Sequence, residues 1–330
     1  SMLIFVIRRI GIFIPMLFII SVVSFLIILA PPGDFLTDYL SRLEEMGEFA
    51  DAGEIAYLRS RYGLDQPVYV QYWKWIWGMM HWDLGRSLEW QMPVTELLNA
   101  RLAMTVTLSL FTIIFTWTMA IPIGILSAVK QYSWMDYTAT FLSYIGVGTP
   151  NFLLALVMLW LAFDLLDAQL TGLFSSEYLM EPWSIGRVID MLKHLWVPMV
   201  ILGTDGTARL TRILRANLLD ELGKPYVETA RAKGVPEWKL VIRYPVRIAL
   251  NPFISTAGYA LPALFSGAAI VAIVMSLPTI GPLLLQALLA QDMYMAGSII
   301  LILSVLTLFG TLISDILLAL VDPRIRVGVA

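Results

Sequence analysis

The chain has 330 residues, of which 58% are hydrophobic and 14% are charged, and its formal net charge at pH 7 is −3. This composition excludes an ordinary soluble globular domain and places the chain in a bilayer. Because the chain contains no cysteine, neither a disulfide framework nor a thiolate metal site is possible. The two histidines, His81 and His194, are far apart and lack carboxylates at ligand spacing, so we expect no metal site.

The first apolar run, residues 11–30, is uncharged and follows Arg8 and Arg9. About 20 apolar residues suffice to span a bilayer, and the preceding arginines favour a start in the cytoplasm. A cleavable signal peptide is the alternative, but the run is long for one and no convincing cleavage site follows it. Residues 1–30 are therefore expected to form a cytoplasmic tail and a first transmembrane helix.

Residues 31–98 form a long polar segment with eleven acidic and five basic residues, which predicts an extracytoplasmic insertion. Its first part favours acidic helices. Turn sequences at 64–67 and 83–87 flank a helix rich in aromatic residues: Tyr69, Tyr72, Trp73, Trp75, Trp77 and Trp82. Such residues concentrate at membrane interfaces. The segment is either a small scoop that contacts a substrate-delivering protein or an interfacial helix with an aromatic belt.

Residues 99–330 contain the remaining apolar stretches and predict a core transmembrane domain of five helices. Spans two and three are expected within 102–129 and 137–163. Small and helix-breaking residues at 146–150 interrupt the third span, which indicates close helix packing or an unwound, cavity-lining stretch. A second acidic external segment follows at 164–194.

The fourth span, about 195–214, is the least apolar because Asp205 and Arg209 fall in its second half. A charged residue at a helix centre costs about 2.5–3.5 kcal/mol on insertion scales, and less when it is paired. The two residues are four apart and can neutralise each other. Asp205 and Arg209 are our candidates for pore or gate residues, and the alternative is a structural ion pair near the cytoplasmic face.

The uncharged stretch 248–291 is too long for one helix. We expect span five in its first two thirds, a break at 277–282, a short external or re-entrant segment, and span six at 293–314. With six spans, fourteen of the 22 Lys and Arg residues lie on the side of the termini. Since Lys and Arg are more frequent in cytoplasmic loops, both termini are predicted to be cytoplasmic.

Between spans four and five, residues 215–247 form a polar, basic loop that cannot be buried in the membrane. Its central sequence is YVETARAKGVPEWKLVIRYP. Helix formers from Glu228 to Lys233, followed by Gly234, predict a short helix that ends at a positive φ, and Pro236 suits the first turn of a second helix. We interpret this corner as a docking site for another protein. The alternative is an ordinary solvated loop.

The loop sequence resembles a known motif. Glu228, Thr229 and Ala230, followed after three residues by Gly234, resemble the EAA…G loop of ABC importer permeases. The wider sequence YVETARAKG is similar to the version found in the dipeptide, oligopeptide and nickel importer branch. In that family the loop is a coupling helix that sits in a cleft of a separate ATPase subunit.

The resemblance covers essentially the whole chain. RYGLDQPVYVQYWKW and DLGRSL resemble the GLD-P…QY and DLG-S pair of the same branch, and 315–326 resembles its D…A..DPRIR terminus. Where the branch has an RDYP…G signature, Gln291 replaces the arginine and Met295 the proline. Asp205 is a second departure, because the family tends to be apolar or small there.

The resemblance implies an all-α polytopic protein of the prokaryotic inner membrane, with six transmembrane helices and the type I ABC importer permease fold. It implies a non-catalytic permease subunit that forms half of the pathway for di- or oligopeptides. Oligosaccharide, nickel or glutathione cargo is the alternative within the same class. The implied ATPase-coupling residues are Glu228, Thr229, Ala230, Arg231, Ala232, Lys233 and Gly234.

The implied partners are a homologous second permease in a heterodimer, two ABC ATPase subunits, an extracytoplasmic solute-binding protein and the lipid bilayer, with no nucleic acid. The sequence has no G-x-x-x-x-G-K-[ST] phosphate loop, so we expect no cofactor on this chain and assign ATP and Mg to the ATPase subunits. Nor does it offer a persuasive hydrolase constellation. An ion-coupled secondary transporter, with Asp205 as the coupling carboxylate, and a membrane-anchored scaffold are the rival classes.

Overall fold

The computed structural model describes residues 2–168 and 170–321, and helices make up most of both ranges. Within them, the one extended pairing is an isolated bridge between Arg86 and Pro93. The all-α class predicted from the sequence is confirmed for these ranges.

The chain divides into two compact units. The core unit comprises Ser1–Val6, Val106–Pro278 and Phe309–Ala330, and the insertion unit comprises Ile7–Thr105 and Thr279–Leu308. The terminal motif at 322–326 lies outside the described residues.

Polar caps set the ends of the first helices. These are α1 (Met2–Leu29), α2 (Phe35–Glu45), α3 (Ala52–Tyr62) and α4 (Val68–Met80). The Asp34 carboxylate accepts a hydrogen bond from the backbone N–H of Thr37 at 2.9 Å and caps α2. Asp51 caps α3, and Gly63, at φ +65°, ends it. The acidic helices and the aromatic helix expected within 31–98 are therefore present.

The aromatic helix α4 is held in the core of the insertion unit. Fully buried members of that core include Phe25, Trp75, Val94, Leu98, Ile280 and Met295. The Trp75 ring packs directly against Gly297. A Cβ at residue 297 would lie 2.8 Å from Trp75 Cζ2, so a glycine is needed to leave room for the ring. Trp73 and Trp77, in contrast, are exposed. Trp75 is thus a core residue. Its neighbours Trp73 and Trp77 have the exposure that an aromatic belt at the membrane interface requires.

Asp292 fastens the turn after α4 to the start of the last helix. Its buried carboxylate accepts hydrogen bonds from the Ser87 hydroxyl, from the Glu89 backbone N–H at 3.1 Å and from the Met295 backbone N–H at 3.2 Å. Burial raises the pKa of Asp292. Although 291–297 departs from the family signature, the aspartate within it therefore has a structural role.

The remaining helices cover the apolar stretches of the sequence and the basic loop between them. They are α5 (Val94–Val129), α6 (Trp134–Gly148), α7 (Asn151–Leu166), α8 (Ile185–Leu222), α9 (Pro225–Ala232), α10 (Glu237–Arg243), α11 (Pro245–Ala249), α12 (Asn251–Val274), α13 (Ile280–Leu289) and α14 (Met293–Val321), with a 3-10 turn at Ser176–Tyr178. The interruption predicted at 146–150 is confirmed, since α6 and α7 meet at 102°. The break predicted near 277–282 is confirmed by the gap between α12 and α13.

Within the described ranges, three helices are long and apolar enough to cross a membrane: Leu3–Leu29, Val94–Val129 and Met293–Leu320. The bent pair of α6 and α7 is a fourth if it counts as one span. The predicted fourth and fifth spans fall on α8 and α12. In α8, Asp205 and Arg209 lower the apolar character of the span, as the sequence indicated.

Helix α8 continues through 215–222, which the sequence analysis assigned to the loop. The extension is helical because Leu218 is fully buried and Arg215 is paired with a carboxylate from another helix. Neighbouring helices approach α8 at glycines. A Cβ at Gly124 of α5 would lie 2.9 Å from Leu214, and one at Gly146 of α6 would lie 3.0 Å from the Ala208 Cβ. Small residues permit this close packing in membrane helices.

Candidate functional site

The basic loop after α8 folds as the sequence predicts, into a helix, a corner and a second helix. Pro225 occupies the first turn of α9, and Gly234 turns the chain at φ +76°. Pro236 immediately precedes α10 instead of lying in its first turn. The corner is closed by the Arg231 guanidinium, which donates to both carboxylate oxygens of Glu237 at 3.0 and 2.7 Å.

One side of this loop is buried in a cluster that we term the coupling core. Its members are Val227, Leu240, Val241, Val246 and Ala249 of the loop, Leu210, Leu214 and Leu218 of α8, Ala120 and Ala128 of α5, and Phe253 of α12. Val227 and Leu240 have no exposed surface. The loop is therefore fixed to the ends of three long helices, which an ordinary solvated loop does not require.

The other side of the loop carries most of the predicted coupling residues. Of these seven, the exposed members are Glu228, Thr229, Arg231, Ala232, Lys233 and Gly234. Ala230 instead packs against the coupling core. A Cβ at Gly234 would meet no atom within 4 Å, so the corner leaves open space for another surface.

A polar network missed by the sequence analysis joins α8 to α9. The nearly buried Glu221 carboxylate pairs with the Lys224 ammonium and accepts a hydrogen bond from the Tyr226 hydroxyl at 2.7 Å. Burial opposes ionisation, but these two donors outweigh it and lower the pKa of Glu221. Burial, together with Glu221, raises the pKa of Tyr226. The spacing of Glu221 and Lys224, one helical turn, was the available sequence signal.

A second missed contact ties the turn between α5 and α6 to α8. The Arg215 guanidinium donates to the two carboxylate oxygens of Asp136 at 2.6 and 2.8 Å. Asp136 is 2% exposed and also accepts from the Ser127 hydroxyl and from the Tyr132 backbone N–H. The pair fixes the extended end of α8 against a neighbouring helix.

The core unit contains a chamber of about 410 Å³, and both candidate pore residues line it. Other polar side chains on its wall are Thr112, Thr116, Asn151 and Thr256. Asp205 and Arg209 form an ion pair at 3.2 Å, as their spacing predicted. None of the lining residues belongs to 223–247, so the chamber and the loop corner are separate places on the core unit.

The two places share helix α8. Asp205, Arg209 and Ile213 recur every four residues and line the chamber. Leu210, Leu214 and Leu218 have the same spacing and enter the coupling core, and Leu210 lines the chamber as well. Residues at this spacing share one face of a helix, so α8 presents one face to the chamber and an adjacent face to the coupling core, and the two meet at Leu210.

In the part of the chain that the structure describes, no group of three or more His, Asp or Glu side chains could hold a metal ion. Long apolar helices around a chamber that holds an ion pair, together with a basic loop fixed to their ends, define an integral membrane transport subunit.

Residues 120–327 match the family described as "Binding-protein-dependent transport system inner membrane component", and residues 2–109 match the N-terminal region of such membrane components. The chain belongs to this family and is a multi-pass inner membrane protein. The resemblance inferred from the loop and the other motifs is thereby confirmed.

Two relatives are similar over nearly their whole lengths. The oligopeptide transport system permease protein AppB of Bacillus subtilis (strain 168) is 36% identical over 323 residues, covering 98% of this chain and 99% of the relative. The dipeptide transport system permease protein DppB of Escherichia coli (strain K12) is 31% identical over 343 residues, covering 98% of this chain and 99% of the relative.

Proposed function

We propose that this chain is the transmembrane permease subunit of an ATP-driven importer for di- or oligopeptides. The observation that carries the proposal is the shared helix α8, which joins the exposed loop corner to the chamber that holds the Asp205–Arg209 pair. The names of the two relatives favour peptides over the oligosaccharide, nickel or glutathione cargo that the sequence left open.

The proposed topology has six spans, with α8 and α12 as the fourth and fifth, and with both termini in the cytoplasm. The excess of Lys and Arg in the predicted cytoplasmic segments supports this orientation. Residues 31–98 then lie outside, where a solute-binding protein would dock. The chain is non-catalytic, and a homologous second permease completes the pathway.

In this proposal two ATPase subunits bind ATP and Mg, and one of them receives the exposed face of α9. When the ATPases close, they displace α9. Because Val227 of α9 and Leu240 of α10 are buried in the same coupling core as the leucines of α8, a displacement of α9 is passed to that helix. Asp205 and Arg209 lie on α8, so the chamber wall moves with the loop and switches the side to which the chamber opens.

A cysteine-free chain offers a direct test of this arrangement. Ala232→Cys places one thiol on the exposed face of α9, and Met180→Cys, at a residue that is 96% exposed, places one in the second external segment. We expect a thiol crosslinker on residue 232 to capture an ATPase subunit, and an impermeant thiol reagent to label only residue 180 in intact cells.

Failure to capture an ATPase at residue 232, or labelling of that residue from outside, would overturn the proposal. Uptake that survives ATP depletion but stops when the proton gradient collapses would instead support the ion-coupled transporter with Asp205 as the coupling carboxylate. A reconstituted protein that moves no solute would support the scaffold.

A further inference from the structure

The ion pair in the chamber differs in geometry from three other arginine–carboxylate pairs among the described residues. Three pairs, Arg215 with Asp136, Arg231 with Glu237 and Arg42 with Glu89, are forks in which two guanidinium nitrogens each reach a different carboxylate oxygen at 3.0 Å or less. Forked pairs are the strong, geometrically fixed form of this interaction.

In the chamber, by contrast, a single nitrogen of Arg209 serves both oxygens of Asp205 at 3.2 Å. The Arg209 atoms Nε and Nη1 have no hydrogen-bond partner among the described residues, and the side chain is 63% exposed. The Asp205 side chain is 34% exposed. This pair is loose, and Nε and Nη1 of Arg209, a residue that lines the chamber, keep N–H groups that Asp205 does not use.

Such a pair meets a specific electrostatic need of a peptide pathway. A peptide with free ends carries an ammonium and a carboxylate, and each charge is costly to move through a low-dielectric region without a partner. Asp205 and Arg209 carry the two complementary charges in one place, and they neutralise each other while the chamber holds no substrate. If Asp205 and Arg209 released each other and paired with the two ends of the peptide, every charge would stay compensated and the net charge of the site would not change.

We propose that Asp205 and Arg209 form a recognition pair for the charged ends of a zwitterionic peptide. The Asp205 carboxylate accepts hydrogen bonds from the peptide ammonium, which releases Nη2 of Arg209, and Nη1 and Nη2 then donate two parallel hydrogen bonds to the peptide carboxylate. Thr112, Thr116 and Thr256 also line the chamber. The Thr112 and Thr256 hydroxyls donate to carbonyls of their own helices, so their oxygens can accept hydrogen bonds from the peptide N–H groups. This inference rests on the proposed function and names the residues that would select its substrate.

The alternative is that the pair only neutralises itself within the span. Double variants separate the two roles. If the pair is structural, Asp205→Asn combined with Arg209→Gln removes both charges together, and the exchanged pair, Asp205→Arg with Arg209→Asp, restores neutrality. Both double variants should then transport better than either single variant.

The test uses the complete importer in proteoliposomes, with its solute-binding protein and ATPase subunits, and measures uptake of a radiolabelled di- or tripeptide with uncharged side chains. We expect each single variant to lower the kcat/KM of uptake about ten- to a hundredfold, because each loses a charged hydrogen-bond partner of the substrate. The double neutral variant and the exchanged pair should be no better than the single variants.

Glu177→Gln is the control for the loss of a carboxylate, since Glu177 is exposed in the second external segment and does not line the chamber. Its uptake should equal that of the wild type. The proposed recognition pair would be overturned if the wild type takes up peptide and the double neutral variant keeps that uptake, or if the exchanged pair recovers it. Either result would leave the proposed permease function intact. A wild-type importer that moves no peptide would instead overturn the proposed function.

Discussion

Asp136 and Arg215 are 79 residues apart in sequence, yet their side chains form a forked ion pair at 2.6 and 2.8 Å. The carboxylate belongs to the first turn of α6, and the guanidinium belongs to the part of α8 that extends beyond the predicted fourth span. Because Asp136 is almost fully buried, it depends on Arg215 for compensation of its charge.

We predict that Arg215→Gln destabilises the protein by about 3 kcal/mol, since a buried carboxylate is left without its counter-charge. Thermal unfolding in detergent should show a lower Tm. Asp136→Asn combined with Arg215→Gln should recover part of the loss, because no charge is then buried alone. Lys239→Gln, at an exposed residue of α10, should leave the Tm unchanged. A Tm for Arg215→Gln equal to that of the wild type would contradict this role of the pair.

Gly234→Leu should uncouple ATP hydrolysis from peptide uptake while the protein still inserts. The new side chain meets no atom within 4 Å, so its effects are the strain of a leucine at φ +76°, about 1–2 kcal/mol, and the obstruction of the space beside α9. ATPase activity and uptake would be measured on the same proteoliposomes. Normal substrate-stimulated uptake would show that the corner does not transmit motion.

Gly47→Leu is the control for that substitution. Gly47 has φ +77° and equally open surroundings, but it lies between α2 and α3 of the insertion. The backbone strain is the same at both positions. If Gly47→Leu retains uptake, the defect of Gly234→Leu is therefore caused by the position of the leucine at the loop corner and not by backbone strain.

The junction of α8 and α9 should loosen in acid. The pKa of Glu221 is below its ordinary value of 4.5, so its contribution to stability is present above pH 4.5 and is lost as the pH falls through the lower value of the folded state. Hydrogen–deuterium exchange of residues 222–232, corrected for the intrinsic rate at each pH, should therefore show less protection below pH 4.5 than at pH 6.

Glu221→Gln should remove this pH dependence, because glutamine does not ionise. Glu228→Gln, on the exposed face of α9, should keep the response of the wild type. Equal acid sensitivity in wild type and Glu221→Gln would assign the loosening to another group.

Gly297→Ala should destabilise the insertion unit by about 1–3 kcal/mol, because the added methyl would lie 2.8 Å from the fully buried Trp75. Trp75→Phe in the same chain should recover part of that loss by making room. Gly11→Ala, with no atom within 4 Å of the new methyl, is the matched control and should not lower the Tm. An unchanged Tm in Gly297→Ala would contradict the close contact.

The sequence predicted the features that depend on local pattern. The helix of the loop corner, the positive φ at Gly234, the break at 146–150 and the pairing of Asp205 with Arg209 each follow from residues within a few positions of one another. The same holds for the acidic helices of the insertion. Local backbone preference and helical spacing are sufficient for such features.

The features that sequence reasoning missed join distant segments. Nothing near Asp136 indicates Arg215 as its partner, and nothing in DLGRSL indicates that Ser87 donates to Asp292, 205 residues away. The extension of α8 to Leu222 also depends on distant segments. Its polar sequence resembles a loop, and only the burial of Leu218 against other helices shows that it is part of α8.

The glycines beside α8 have a mechanical consequence. At Gly124 the nearest atoms belong to the Leu214 side chain, and at Gly146 they are the Ala208 Cβ, the Thr204 Cγ2 and the Thr204 carbonyl oxygen. Contacts this close leave no room for an added side chain unless a neighbouring atom moves. A single larger side chain at either position would therefore act as a wedge and change the angle at which α8 crosses its neighbour.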